Sequence, residues 1–113
     1  MRIVLRYVRG VTVLDLHGKI AIGEGDEALR DTVSQLVGDG KTKIVLNLDD
    51  VPYVDSMGLA VIVRCYMDAS RQYGKLKLLK ITKKIEDLLT ITKLRSVFEI
   101  YDTEEEAVAS FGA

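Results

Sequence analysis

Few side chains in this sequence are spaced to do chemistry, and most of those stand alone. His17 is the only histidine and ends an alternating apolar run beside Gly18. Cys65 is the only cysteine, so it has no internal disulfide partner and no second thiol with which to hold a metal. A serine nucleophile needs a base within hydrogen-bond reach, and around Ser56 the pattern G-x-S-x-G is broken because Val54 replaces its first glycine. No carboxylate–histidine cluster suggests a metal site. The segment GEGDEA, from Gly23 to Ala28, fits the glycine-rich pattern of dinucleotide sites, with Asp49 at the end of the next strand. Its own Glu24, Asp26 and Glu27 would repel a pyrophosphate. The run GDGKTK resembles the tail of a phosphate loop, but Gln35 stands where the first glycine belongs and a strand follows where a helix is required. The expectation is a protein without catalytic residues, metal or cofactor.

What remains is Tyr53-Val54-Asp55-Ser56-Met57-Gly58-Leu59-Ala60, where a loop meets a helix whose first turns are apolar. Asp55 or Ser56 can cap that helix by accepting hydrogen bonds from its free amides. Capping alone would account for both residues, and a modifiable serine at an exposed helix start is the functional alternative.

The elements that position this segment follow from the apolar periodicity. Residues 2–9 and 11–17 are two alternating, β-branched runs around Gly10, which predicts a hairpin. Ala28, Leu29, Val33, Leu36 and Val37 recur at helical spacing between Glu24 and Val37, and Gly38 suits the end. Lys43–Leu48 reads as a short buried strand and Asp49–Asp55 as a loop with Pro52. A helix is predicted over Met57–Tyr73, a strand over LKLLKI, a helix over Lys83–Lys93, a strand over VFEIY and a terminal helix over Glu104–Phe111. Helices between consecutive strands imply an α/β domain, a mostly parallel sheet with an N-terminal hairpin at one side and helices packed against it. The lysines at 75, 77, 80, 83 and 84 read as a solvated strand edge and helix start.

With 113 residues and 48% hydrophobic side chains the chain suits one domain, 1–113. Its 16 basic and 17 acidic side chains nearly cancel, which leaves no footprint for nucleic acid or anionic membrane. The N-terminal residues lack an unbroken apolar stretch, so neither a signal peptide nor membrane insertion is expected and the chain reads as cytoplasmic.

The chain resembles the STAS domain family, named for sulphate transporters and anti-sigma-factor antagonists. The matching pieces are VTVLDLHGKI, KIVLNLDDVPYVDSMGLAVIV, GKLKLLKITKKIEDLLTITKL and VFEIYDTEEEAVASF. In the antagonist branch the serine of the Asp-Ser-x-Gly element accepts phosphate, so the resemblance assigns that role to Ser56, with Asp55 beside it and Gly58 allowing close backbone approach. It implies a partner surface of Tyr53, Asp55, Ser56, Met57, Gly58 and Leu59. The implied partners are an anti-sigma factor with serine kinase activity, which binds the unphosphorylated form, and a phosphoserine phosphatase. The other branch implies a structural module of a transporter or signalling complex, with Ser56 unmodified. Nucleotide binding near the loop, sometimes proposed for the family, finds no phosphate-cradling motif here. The chain departs from the family pattern at Met57, where many members have a second small residue, and at Gly18-Lys19-Ile20-Ala21, where many have an acidic one.

The absence of a nucleophile–base pair yields the expectation that the purified protein turns over neither ester nor nucleotide substrates. Turnover that vanishes in Ser56→Ala and is absent from a mock preparation would contradict it.

Overall fold

Arg9 and Gly10 both take positive φ values, 49° and 80°, the left-handed pair that lets a two-residue turn join strands with the natural twist. In the computed structural model, which describes residues 1–112, that turn connects β1 (Arg2–Val8) to β2 (Val11–His17) as an antiparallel hairpin, with Val8 opposite Val11 and Arg2 opposite His17. Then follow α1 (Asp26–Gly38), β3 (Lys43–Asp50), α2 (Ser56–Arg71), β4 (Lys75–Leu79), α3 (Lys83–Ile91), β5 (Ile100–Tyr101) and α4 (Glu104–Ala109). The strands lie in chain order and β2 to β5 pair in parallel. Each parallel step needs a long crossover, and α1, α2 and α3 supply the three.

The central strands are buried on both faces, which is why their sequences run almost continuously apolar. On one face Leu14, Leu16, Ile44, Leu46, Leu48, Leu76 and Leu78 pack against Leu29, Val33 and Leu36 of α1, Leu59, Ile62, Cys65 and Ala69 of α2, and Ile85 and Leu89 of α3. On the other, Val11, Val13, Val45 and Leu79 are covered by Ala107 and Val108 of α4. A helix this short carries little intrinsic stability, and polar contacts tie it down. Arg6 Nε donates to Asp15 Oδ2 at 2.6 Å, its Nη1 donates to Glu104 at 3.2 Å, and Asn47 donates to Asp15 at 2.9 Å.

Several boundaries move from the sequence expectation, each for a local reason. β3 runs on to Asp50 because the strand it pairs with continues beside it, His17 opposite Asp50. The first helix begins at Asp26, since Ala21 and Glu24 exchange two 2.9 Å backbone bonds in a tight turn before it. The second starts at Ser56 and ends at Arg71; Tyr73 turns left-handed at φ 60°, and a Cβ at Gly74 would strike Thr42. α3 and α4 each stop two residues short of expectation. The last strand is only Ile100–Tyr101, because Val97 closes a turn onto Leu94 and Phe98 leaves the strand line to meet Tyr66 edge-on, 5.3 Å between ring centres.

The lysine stretch needs a larger correction. β4 lies between β3 and β5, and Lys77 is buried there: its ammonium donates to the Ser110 carbonyl at 3.2 Å and hydroxyl at 2.9 Å, pairs with Glu99 at 3.2 Å, and lies 4.3 Å from the Phe111 ring centre. A buried ammonium needs such partners. Lys77 therefore anchors the end of α4 and is no part of a solvated edge.

Arg6 holds the carboxyls of Asp15 and Glu104 below the usual carboxylate range, through its hydrogen bonds first. Groups depressed in this way add stability above their unfolded pKa, near 4, which is lost as pH falls through the lower native values. Urea midpoints of the wild type should therefore drop between about pH 5 and pH 2, and those of Arg6→Met should drop less steeply. Equal slopes would show that the cluster does not hold α4.

Candidate functional site

The segment singled out in the sequence lies at the C-terminal ends of the parallel strands, where β3 gives way to α2. Residues 18–22 run alongside it as a continuation of the sheet pairing. Gly18 N–H donates to the Asp50 carbonyl at 3.1 Å, Ile20 N–H to Tyr53 at 3.0 Å, and Asp55 N–H back to Ile20 at 3.3 Å.

Asp55 is the residue that closes this arrangement. Its backbone is extended, φ −90° and ψ −179°, as a helix cap requires. One carboxylate oxygen accepts the Gly58 N–H at 2.7 Å and the other accepts the Ile22 N–H at 3.1 Å. These amides, Gly58 first, hold the Asp55 carboxyl below its ordinary pKa. The cap is thus Asp55, and Ser56 is the first helical residue, exposed and free of capping duty. Gly58 is buried, and a Cβ there would overlap the Ile20 carbonyl oxygen. Only glycine lets α2 sit this close to the preceding loop.

Around Ser56 the surface carries exposed apolar side chains beside charged ones. Tyr53 and Met57 are about half exposed, while Leu59 is buried and belongs to the core instead of the surface. The structure adds residues that the sequence reading did not single out. Ile22 is 69% exposed on the loop beside Asp55, and Ile91 is 78% exposed on α3. A groove of about 550 Å³ runs from Tyr53, Asp55 and Ser56 to Lys84, Asp87, Leu88 and Ile91. A signal for Ile91 existed: Ile85 and Leu89 define the buried stripe of α3, and position 91 falls well away from it at 100° per residue. No periodic signal marks Ile22, since its place depends on the Asp55 contact.

The other candidates are dispersed. His17 Nδ1 meets Asp50 Oδ2 at 2.7 Å, with neither Ser56 nor Cys65 among its partners. Cys65 is buried, and burial pushes its thiol pKa up to about 12, which keeps it protonated and unreactive. Gly25, in the glycine-rich segment, takes φ 87° at the start of α1 and a Cβ there would overlap the Lys19 carbonyl. Its role is close packing of backbone. Among the described residues no group of three histidine, cysteine or acidic side chains could hold a metal ion, and no helix is long and apolar enough to cross a membrane.

A five-stranded, mostly parallel sheet with an N-terminal hairpin and a glycine-docked helix behind an Asp-Ser pair defines a STAS-type domain. The model of the STAS domain family matches residues 2–107, and the chain belongs to that family. A Thermotoga neapolitana protein named for anti-sigma factor antagonism is 36% identical over 103 residues, 91% of each chain. The crystal structure of a Thermotoga maritima protein titled in the same way superposes with a TM-score of 0.91 at 28% identity, covering 98% of this chain and 95% of that one. Bacillus SpoIIAA, an anti-sigma factor antagonist solved unphosphorylated and phosphorylated, shares the fold. Each form gives a TM-score of 0.76, at 22% and 21% identity, covering 99% and 97% of this chain and 99% of that one.

These contacts separate two neighbouring residues. Gly58→Ala should lower unfolding free energy by about 1 to 3 kcal/mol, the usual cost of forcing atoms into a filled site, and Gly58→Val should lower it further. Ser56→Ala should stay within about 0.5 kcal/mol of wild type, as exposed substitutions do. Urea denaturation of the three variants checks this, and a large loss in Ser56→Ala would mean that the hydroxyl, not Asp55, caps the helix.

Proposed function

We propose that this protein is a cytoplasmic, non-catalytic anti-sigma factor antagonist whose affinity for its partner is set by phosphorylation of Ser56. The observation that carries the reading is that Asp55 alone serves as the helix cap, which leaves the Ser56 hydroxyl exposed at the start of α2 among half-exposed apolar side chains. The names of the relatives support the antagonist assignment.

Unmodified, the surface of Tyr53, Ser56, Met57 and Ile22 docks on an anti-sigma factor with serine kinase activity. Tyr53 supplies an amphipathic contact and Met57 an adaptable apolar one, and Met57 takes the place of the smaller residue common in the family. Binding sequesters the anti-sigma factor and frees the sigma factor. Phosphorylation adds roughly 1.5 to 2 negative charges beside Asp55, and a docked partner would have to desolvate them. A penalty of about 3 kcal/mol weakens binding by roughly two orders of magnitude. The positive end of α2 offsets part of the charge within the free protein, so the fold tolerates it. A phosphoserine phosphatase resets the switch.

Incubation with the cognate kinase and ATP should place one phosphate on Ser56 by peptide mapping. Calorimetry should show Ser56→Ala binding the anti-sigma factor and Ser56→Asp losing at least about two orders of magnitude with an unchanged melting temperature. Phosphate mapped mainly to Ser34, Ser70 or Ser96, or Ser56→Asp binding as tightly as wild type, would contradict the proposal. The second outcome would favour the structural-module alternative.

A further inference from the structure

The two edges of the sheet are treated differently. β5 is two residues long, a protected edge, whereas β1 is a seven-residue strand whose outer backbone pairs with nothing among the described residues. Natural edges of that length carry lysine, proline or a bulge that discourages further pairing. β1 has no lysine, proline or bulge and its only charges are Arg2 and Arg6: its sequence is RIVLRYV and its register with β2 is unbroken. Its central charge, Arg6, is already committed to Asp15 and Glu104 on the α4 side. Beyond Arg2 at its start, the strand offers apolar side chains to solvent, with Leu5 40% and Tyr7 58% exposed on one face and Val4 39% exposed on the other.

We propose that β1 pairs antiparallel with β1 of a second copy of this chain, about a two-fold axis through Leu5, to make one continuous ten-stranded sheet. The charge pattern admits a second copy of the strand and selects its register. A two-fold axis perpendicular to the sheet keeps each face with its like, so only registers that differ by two residues are allowed. Centred on Leu5, Arg2 opposes Val8, Ile3 opposes Tyr7, Val4 opposes Arg6 and Leu5 opposes itself, and no arginine of the strand faces another. Centred on Val4, Arg2 would oppose Arg6, and centred on Arg6 the two copies of that residue would meet, both like-charge pairings that destabilise a sheet. Leu5 and Tyr7 also line a groove of about 280 Å³ against Thr32 and Leu36 of α1, with Lys41 stacked 4.5 Å from the Tyr7 ring centre. The partner's Leu5 and Tyr7 would flank that groove and extend its apolar floor. Because the pairing is antiparallel, the C-terminal ends of the two sets of parallel strands point in opposite directions. Both Ser56 surfaces stay open, so the dimer presents two docking sites.

Sedimentation equilibrium of the wild-type protein over a concentration series should show mass rising from 12.6 kDa toward twice that value. Leu5→Lys, which sets two ammonium groups against each other at the axis, should remain monomeric with an unchanged melting temperature. Mild oxidation of Leu5→Cys should give a disulfide-linked dimer about tenfold faster than Val4→Cys, since directly opposed Cβ atoms lie about 4.5 to 5.5 Å apart and diagonal neighbours farther. Cys65 is buried and does not compete. A wild-type protein that stays monomeric throughout the series would overturn the proposal, as would cross-linking no faster at position 5 than at position 4. A Leu5→Lys protein that folds and still dimerises would do the same. None of these outcomes bears on phosphorylation of Ser56.

Discussion

The arrangement around the start of α2 depends on one carboxylate. Asp55 accepts the Gly58 amide of α2 and the Ile22 amide of the β2–α1 loop with its two oxygens, and so fixes a helix end and a loop to each other. The bond to Gly58 is geometrically possible only because Gly58 has no side chain to meet the Ile20 carbonyl. With those two residues in place, the first turn of α2 is pressed against backbone, and residue 56 is directed to solvent. Asp55 and Ser56 divide labour as neighbours: Asp55 holds the helix, and the Ser56 hydroxyl is left without a structural role, as the proposed phosphorylation requires.

The remainder of the domain makes that surface rigid. β3 is completely covered along Ile44–Leu46, by α1, α2 and α3 on one face and α4 on the other. The strand that delivers the loop therefore cannot shift without disturbing both layers, since packed interiors do not deform continuously. Polar clusters at Arg6 and Lys77 fasten α4 over a face that its six residues could not hold by propensity alone. In the proposed switch, a charge added at Ser56 meets this packed scaffold, and its effect falls on the docked partner.

Much of this was legible in residue patterns. The hairpin, the three crossover helices and the parallel order followed from alternation around Gly10 and from helical spacing between apolar runs, because burial on one stripe or both faces imposes those periods. The Asp-Ser-x-Gly segment was legible as a helix start, but not which of Asp55 and Ser56 was the cap. Asp55 takes the Gly58 amide and also that of Ile22, thirty-three residues away, and a contact of that range leaves no periodic trace. Leu59, part of the partner surface that the family resemblance implies, is a core residue, since helical phase turns it toward the sheet. The burial of Lys77 is illegible for a related reason: lysine in a strand signals solvent, and its burial is made tolerable by Glu99 and Ser110, both remote in the chain.

The most direct test of a local, charge-based switch on a fixed scaffold is a backbone amide NMR comparison of the unmodified protein with the same protein phosphorylated at Ser56. The account predicts shifts confined to the first turn of α2, residues 53–55 and the loop at Ile20–Ile22, with α1, α4 and the centre of the sheet unchanged. Shifts spread through α1, β4 and α4 would mean that phosphorylation rearranges the domain, and would contradict a switch that acts only at its surface.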